Sequence, residues 1–93
     1  MKISRRNKLE IISTILNICK LEGSSKTRIV YQANLNFKNA GLYLEWLTRR
    51  GYILKDDRVF RTTPTGLELL SNLNDITSMI NDDIDSELAT FQE

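Results

Sequence analysis

Only three residues, Asn34-Leu35-Asn36, separate two helical patterns in this chain. The first pattern carries Ile29, Val30 and Ala33; the second restarts at Phe37 and carries Ala40, Leu44 and Leu47. That interval is too short for a loop and too polar for an unbroken helix. Asn34 falls where a helix end needs a left-handed residue, and Asn tolerates that conformation best after glycine. Asn36 suits an N-cap, whose side-chain oxygen accepts a bond from a free amide of the first turn. Leu35, between them, can plug the core between the two helices. The spacing therefore predicts a corner that joins a second helix, about residues 26–33, to a third, about 37–50. The third helix is expected to be held at a steep angle and to project from the surface.

The other elements follow around this corner. Leu9, Ile12, Ile15, Leu16 and Cys19, widened by Ile11 and Ile18, predict an amphipathic helix from about Arg6 to Leu21. Gly23 lies just beyond it as a stop signal, and Ser24 or Ser25 is available to cap the second helix. Gly51 ends the third helix. Then the period changes: Tyr52–Lys55 and Val59–Thr62 read as two β-prone runs around Asp56-Asp57-Arg58, a hairpin without the Asn-Gly signature and of open turn type. Thr63 or Thr65 starts a last helix beside Pro64.

In that last helix Leu69, Leu73, Ile76, Ile80, Ile84, Leu88 and Phe91 recur every ~3.67 residues, the eleven-residue period of a nearly straight helix pairing. At ~1.5 Å per residue the stripe spans ~33 Å, more than a small body can cover. Pairing with a second copy through Leu73, Ile76, Ile80, Ile84, Leu88 and Phe91 would bury it.

Ninety-three residues suffice for one small domain. No apolar run approaches the ~18 residues of a membrane span, and the N-terminus lacks the apolar core of a signal peptide, so the expected location is the cytoplasm. Cys19 is the single cysteine and histidine is absent. One thiol cannot staple a monomer or build a zinc site, and nucleophilic catalysis would lack a neighbouring imidazole; a small buried hydrophobe is the expectation. Asp83, Asp85 and Glu87 imitate the opening of a calcium loop, but Leu88 occupies the place of its glycine and the twelfth position is missing. Gly-rich phosphate loops and nucleophile triads are also absent. No enzyme, metal, cofactor or small-molecule ligand is expected.

Charge is divided along the chain. Residues 1–61 carry 13 basic and 5 acidic side chains, net +8; residues 62–93 carry 7 acidic and no basic ones, net −7, which restores the overall +1. A basic body with an acidic tail suggests an anionic partner for the body. The tail either turns its carboxylates away from that partner or folds back and competes with it.

The order helix, helix, turn, helix, hairpin, long helix is that of a winged helix-turn-helix, mainly α (α+β). Over about residues 5–72, the stretches "SSKTRIVYQANLN", "YLEWLTRRGYI" and "TPTGLELL" resemble the archaeal winged-helix family of the small ten-a chromatin proteins of Sulfolobus. The resemblance implies DNA binding, and dimerisation through the C-terminal helix. It suggests a division into residues 1–66, a DNA-binding domain, and 67–93, a dimerisation helix.

In such a fold the third helix enters the major groove of double-stranded DNA. Its inner face is expected to be Phe37, Ala40, Tyr43, Leu44 and Leu47, leaving Lys38, Asn39, Gly41, Leu42, Glu45 and Arg49 outward. Lys38 and Asn39 are placed to reach base edges, Leu42 a thymine methyl, and Arg49 a phosphate. Asn36, at the start of the same helix, joins this set. Lys26, Thr27 and Arg28 open the second helix, where free amides add to the side-chain charge toward a phosphate. Arg58 sits at the hairpin tip between Lys55 and Arg61, suited to the backbone or the minor groove. Arg5, Arg6 and Lys8 offer an N-terminal arm. Gly41 and Leu42 replace the polar or basic residues of related sequences, which points to weak sequence preference. Trp46 is expected to pack against the first helix or the hairpin. The alternative use of the same basic face is docking an acidic protein.

Overall fold

The computed structural model describes residues 7–75. Three helices, α1 (Lys8–Ile18), α2 (Lys26–Ala33) and α3 (Phe37–Arg49), precede an antiparallel hairpin of β1 (Ile53–Asp56) and β2 (Val59–Thr62). A fourth helix, α4, occupies residues 64–75. Positions Arg5, Arg6, Ile76, Ile80, Ile84, Leu88 and Phe91, named above, lie outside the described residues.

The corner forms as the residues dictate. Ser25, rather than Ser24, caps α2 through the amide of Arg28 at 3.2 Å. Asn34 adopts φ 57°, ψ 49°, and its amide and that of Leu35 donate to Tyr31 O and Val30 O. That pair of bonds is a Schellman closure with asparagine in the usual glycine place. Asn36 then accepts from the Asn39 amide at 2.7 Å and opens α3. The same closure recurs at the far end of α3. There Gly51 takes φ 82°, with its amide on Thr48 O and the Tyr52 amide on Leu47 O.

Two expectations about α1 are corrected. The helix ends at Ile18, not Leu21, because β2 meets it there: the Thr62 amide donates to Cys19 O and the Thr62 hydroxyl to Leu16 O, at 3.1 and 2.8 Å. Gly23 is therefore not its stop signal. Gly23 has φ 84°, and a Cβ there would stand 2.6 Å from Val59 Cγ1. It lets the chain run close beside the hairpin, where Ser24 and Phe60 exchange both backbone bonds, a third rung that periodicity did not reveal.

The hairpin turn is the two-residue type. Asp56 pairs with Val59, and Asp57 supplies the positive φ, 62°, that tight hairpins require. Thr63 caps α4 by accepting from the Gly66 amide at 3.0 Å while its own hydroxyl donates to Gly51 O at 2.7 Å. Gly66 is pressed so close to the Tyr52 carbonyl that no side chain fits. "GY" at the end of α3 and "TPTG" at the start of α4 are thus two halves of one joint.

Every element contributes to one core: Ile15, Leu16 and Cys19 from α1, Ile29 from α2, Leu44 and Leu47 from α3, Ile53 and Phe60 from the hairpin, Leu70 from α4. Burial pushes the Cys19 thiol up to about 11, as expected of a small core hydrophobe. Leu73 is 6% exposed, so the chain itself already covers the first residue expected to pair with a second copy. Phe37 does not belong to the inner face. It is 53% exposed, because the first residue of α3 overhangs the core rather than facing it.

Candidate nucleic-acid interface

With Ala40, Leu44 and Leu47 buried, α3 shows solvent the opposite face. Lys38, Asn39, Leu42, Glu45, Thr48 and Arg49 are all exposed, and Gly41 is half-buried at the edge. The outward set therefore stands where the helical period placed it. Asn36 is exposed too, but its side-chain oxygen is engaged in capping, so it fixes the turn that presents Asn39.

One flank of α3 gathers charge. Lys26 leaves the start of α2, crosses the gap above Gly41 and brings its ammonium to 5.1 Å from the Phe37 ring centre. Gly41 makes this crossing possible, since a Cβ there would lie 3.0 Å from Lys26 Nζ. Lys26, Glu45, Thr48, Arg49 and Lys55 then line one groove of about 400 Å³ between α3 and the hairpin, floored by Leu44 and Phe60. Three cations from three elements thus line one groove, with Glu45 as the one carboxylate among its described residues. The Lys55 ammonium is braced 5.7 Å from the Phe60 ring centre.

The other expected cations divide. Thr27 and Arg28 are exposed on the first turn of α2, and Arg58 is exposed at the hairpin tip. Arg61 alternates with Phe60 along β2 and so points to the opposite face of the hairpin from Lys55. Its guanidinium donates to Glu22 O at 2.9 Å. Arg61 is a tie between hairpin and the α1–α2 loop, not a member of the groove. Lys8, the described part of the N-terminal arm, is exposed on α1.

Tyr31 is 87% exposed, on the same strip of α2 as Thr27 and Arg28; its spacing of four and three from them was the available signal. Phe37 departs from the helical period because it is the first residue of α3. Trp46 is half-buried, its ring centre 5.9 Å from that of Tyr52, the residue before β1, with the Arg50 guanidinium 5.2 Å above it.

Comparison with known proteins meets this geometry. A family model for a winged helix-turn-helix matches residues 5–81. Two uncharacterized proteins of Methanocaldococcus jannaschii are similar in sequence. MJ0287 is 36% identical over 77 residues, 83% of this chain and 79% of its own length. MJ0290 is 35% identical over 79 residues, 85% of this chain but 37% of its own length, so this chain spans little more than a third of that relative. Among solved structures, Sso10a-2, a DNA-binding protein from Sulfolobus solfataricus, superposes with a TM-score of 0.80 at 22% identity. That match covers 94% of this chain and 95% of the other, and it establishes a shared fold. Among the described residues no helix is long and apolar enough to cross a membrane.

Proposed function

This chain belongs to the winged helix-turn-helix family, and from that premise we propose that it binds duplex DNA, as a transcriptional regulator or an architectural protein. The observation that carries the reading is the convergence of Lys26, Arg49 and Lys55 on one groove beside the exposed face of α3. In this reading α3 lies in the major groove, with Lys38 and Asn39 toward base edges and Leu42 against a thymine methyl. The start of α2 meets a phosphate through its free amides, Thr27 and Arg28, with the Tyr31 hydroxyl as a further donor. Arg58 at the hairpin tip follows the backbone or enters the minor groove.

Most of these groups are cations or helix-end amides rather than paired base readers. Affinity is therefore dominated by phosphate contacts, and sequence preference is weak. A second copy joins through the C-terminal helix along Ile76, Ile80, Ile84, Leu88 and Phe91, and the acidic residues of the tail keep clear of the duplex. Sedimentation of Ile80→Glu tests that pairing: a monomer is expected, and an intact dimer rejects it.

Titration of mixed-sequence duplex at two salt concentrations tests DNA binding. With about six phosphates neutralised, log K falls against log salt with a slope near −5 between about 50 and 200 mM. Lys26→Glu/Arg28→Glu should abolish the complex. Absence of binding at about 50 mM salt contradicts the reading and leaves the basic face to an acidic protein partner.

A further inference from the structure

The flank of α3 away from the hairpin carries a different kind of surface. Lys8, Ile11 and Ile12 form one stripe of α1, at the i, i+3, i+4 spacing of neighbours on a helix face. Asn39, Leu42, Tyr43 and Trp46 form the facing stripe of α3 at i, i+3, i+4 and i+7. Leu35, from the corner, lies between them. The two stripes do not close on each other: they leave a groove of about 580 Å³, and Ile11, Ile12, Leu35, Tyr43 and Trp46 remain only partly buried. That volume lies inside the ~300–1,000 Å³ range of small-molecule sites, which are mostly apolar with a few polar groups to orient the ligand.

The lining residues whose side chains carry polar groups are Lys8, Asn39, Tyr43 and Trp46. All four can donate a hydrogen bond, one is a fixed cation, and no carboxylate lines the groove among the described residues. An apolar trough edged by donors and one positive charge matches a molecule with an apolar body and one anionic head.

We propose that the α1–α3 groove binds a small amphipathic monocarboxylate, whose apolar body lies between Ile12 and Trp46 and whose carboxylate meets Lys8. Asn39 and Leu42 belong both to this groove and to the face assigned to DNA. A bound acid therefore blocks α3 from the major groove and releases DNA; this second half rests on the proposed DNA binding.

Trp46 is the only tryptophan in the chain and lines the groove, so its emission reports occupancy directly. The full-length protein is titrated with decanoate, with phenylbutyrate and with decylamine, which keeps the aliphatic body but reverses the charge. A saturable change with an acid Kd below about 1 mM, and at least about tenfold weaker binding of decylamine, is expected. The ratio of the two acids distinguishes an aliphatic from an aromatic ligand. Lys8→Glu should weaken acid binding about tenfold or more. That variant should keep its fold, because Lys8 is exposed and an acidic residue suits the first turn of a helix. No saturation by either acid, equal binding of decylamine, or no effect of Lys8→Glu overturns the site. If duplex DNA binds but saturating acid fails to displace it, the antagonism is overturned. If no duplex binds at all, the DNA reading fails while the Trp46 titration still decides the site.

Discussion

The ammonium of Lys26 stands 5.1 Å from the centre of the Phe37 ring, at a distance that a cation–π contact spans. Lys26 begins α2 and Phe37 begins α3, so this contact joins the two helix starts across the Asn34-Leu35-Asn36 corner. It also places a charge on the flank of α3 that α3's own sequence does not provide. Gly41 permits it by leaving the lane empty.

Gly41→Ala should therefore separate stability from binding. Alanine favours a helix interior by up to ~1 kcal/mol over glycine. Its Cβ would meet only the flexible end of Lys26, which can swing aside. Thermal unfolding should show equal or higher stability, while DNA affinity falls as Lys26 leaves the groove. A destabilised variant would show that Lys26 is less free to move than a flexible side-chain end implies.

Gly66→Ala should behave in the opposite way. The neighbour of the added Cβ is the Tyr52 carbonyl, a backbone group that cannot yield without opening the joint between α3 and α4. A loss of about 1–3 kcal/mol or more is expected from overpacking in denaturant titration. Gly51→Ala meets nothing within 4 Å, and only its φ of 82° resists the change. A loss of about 1–2 kcal/mol is the expectation there. If Gly66→Ala costs less than Gly51→Ala, the joint is looser than described.

Thr62→Val keeps shape and removes the hydroxyl that bonds Leu16 O at 2.8 Å. The loss should be about 0.5–1.5 kcal/mol in the same titration, since a helix-end carbonyl is left without its donor. Amide exchange should rise first in the last turn of α1. Uniform loosening throughout the chain would argue that Thr62 does not act locally.

Cys19 gives the protein an alkaline limit. Its folded-state value is about 11 against an ordinary 9.0, because burial disfavours the thiolate. Between these values the unfolded chain releases a proton that the folded chain keeps, so stability falls as pH rises from about 9 to about 11 and is unaffected below. The loss attributable to this group is about 2–3 kcal/mol. Cys19→Ala should flatten that part of the pH–stability curve, and native protein should resist thiol reagents at neutral pH. Rapid labelling of native protein would contradict the burial.

These contrasts also show what could be read before folding. The bounds of α2, the corner and α3 were legible because Ser25, Asn34, Asn36 and Gly51 act on amides and carbonyls a few residues away. The end of α1 was not, because Thr62, 46 residues from Leu16, decides it. Gly23 was misassigned for the same reason: the hairpin it makes room for is distant in sequence. The outward face of α3 followed from periodicity except at Phe37, where a helix start escapes the period. Lys26 and Lys55 could be named as cations, but their meeting with Arg49 depends on packing, and Arg61 looked equivalent until its tie to Glu22 appeared.

In the proposed complex, duplex DNA docks on α3 between the start of α2 and the hairpin tip. Amide chemical-shift mapping of the full-length protein with mixed-sequence duplex at about 50 mM salt tests it most directly. The largest changes are expected at Lys26–Arg28, at Lys38, Asn39, Leu42 and Arg49, and at Asp57-Arg58, with Asn17 and Lys20 unmoved. Changes centred on Leu21, Leu54 and Arg61, with α3 silent, would contradict it.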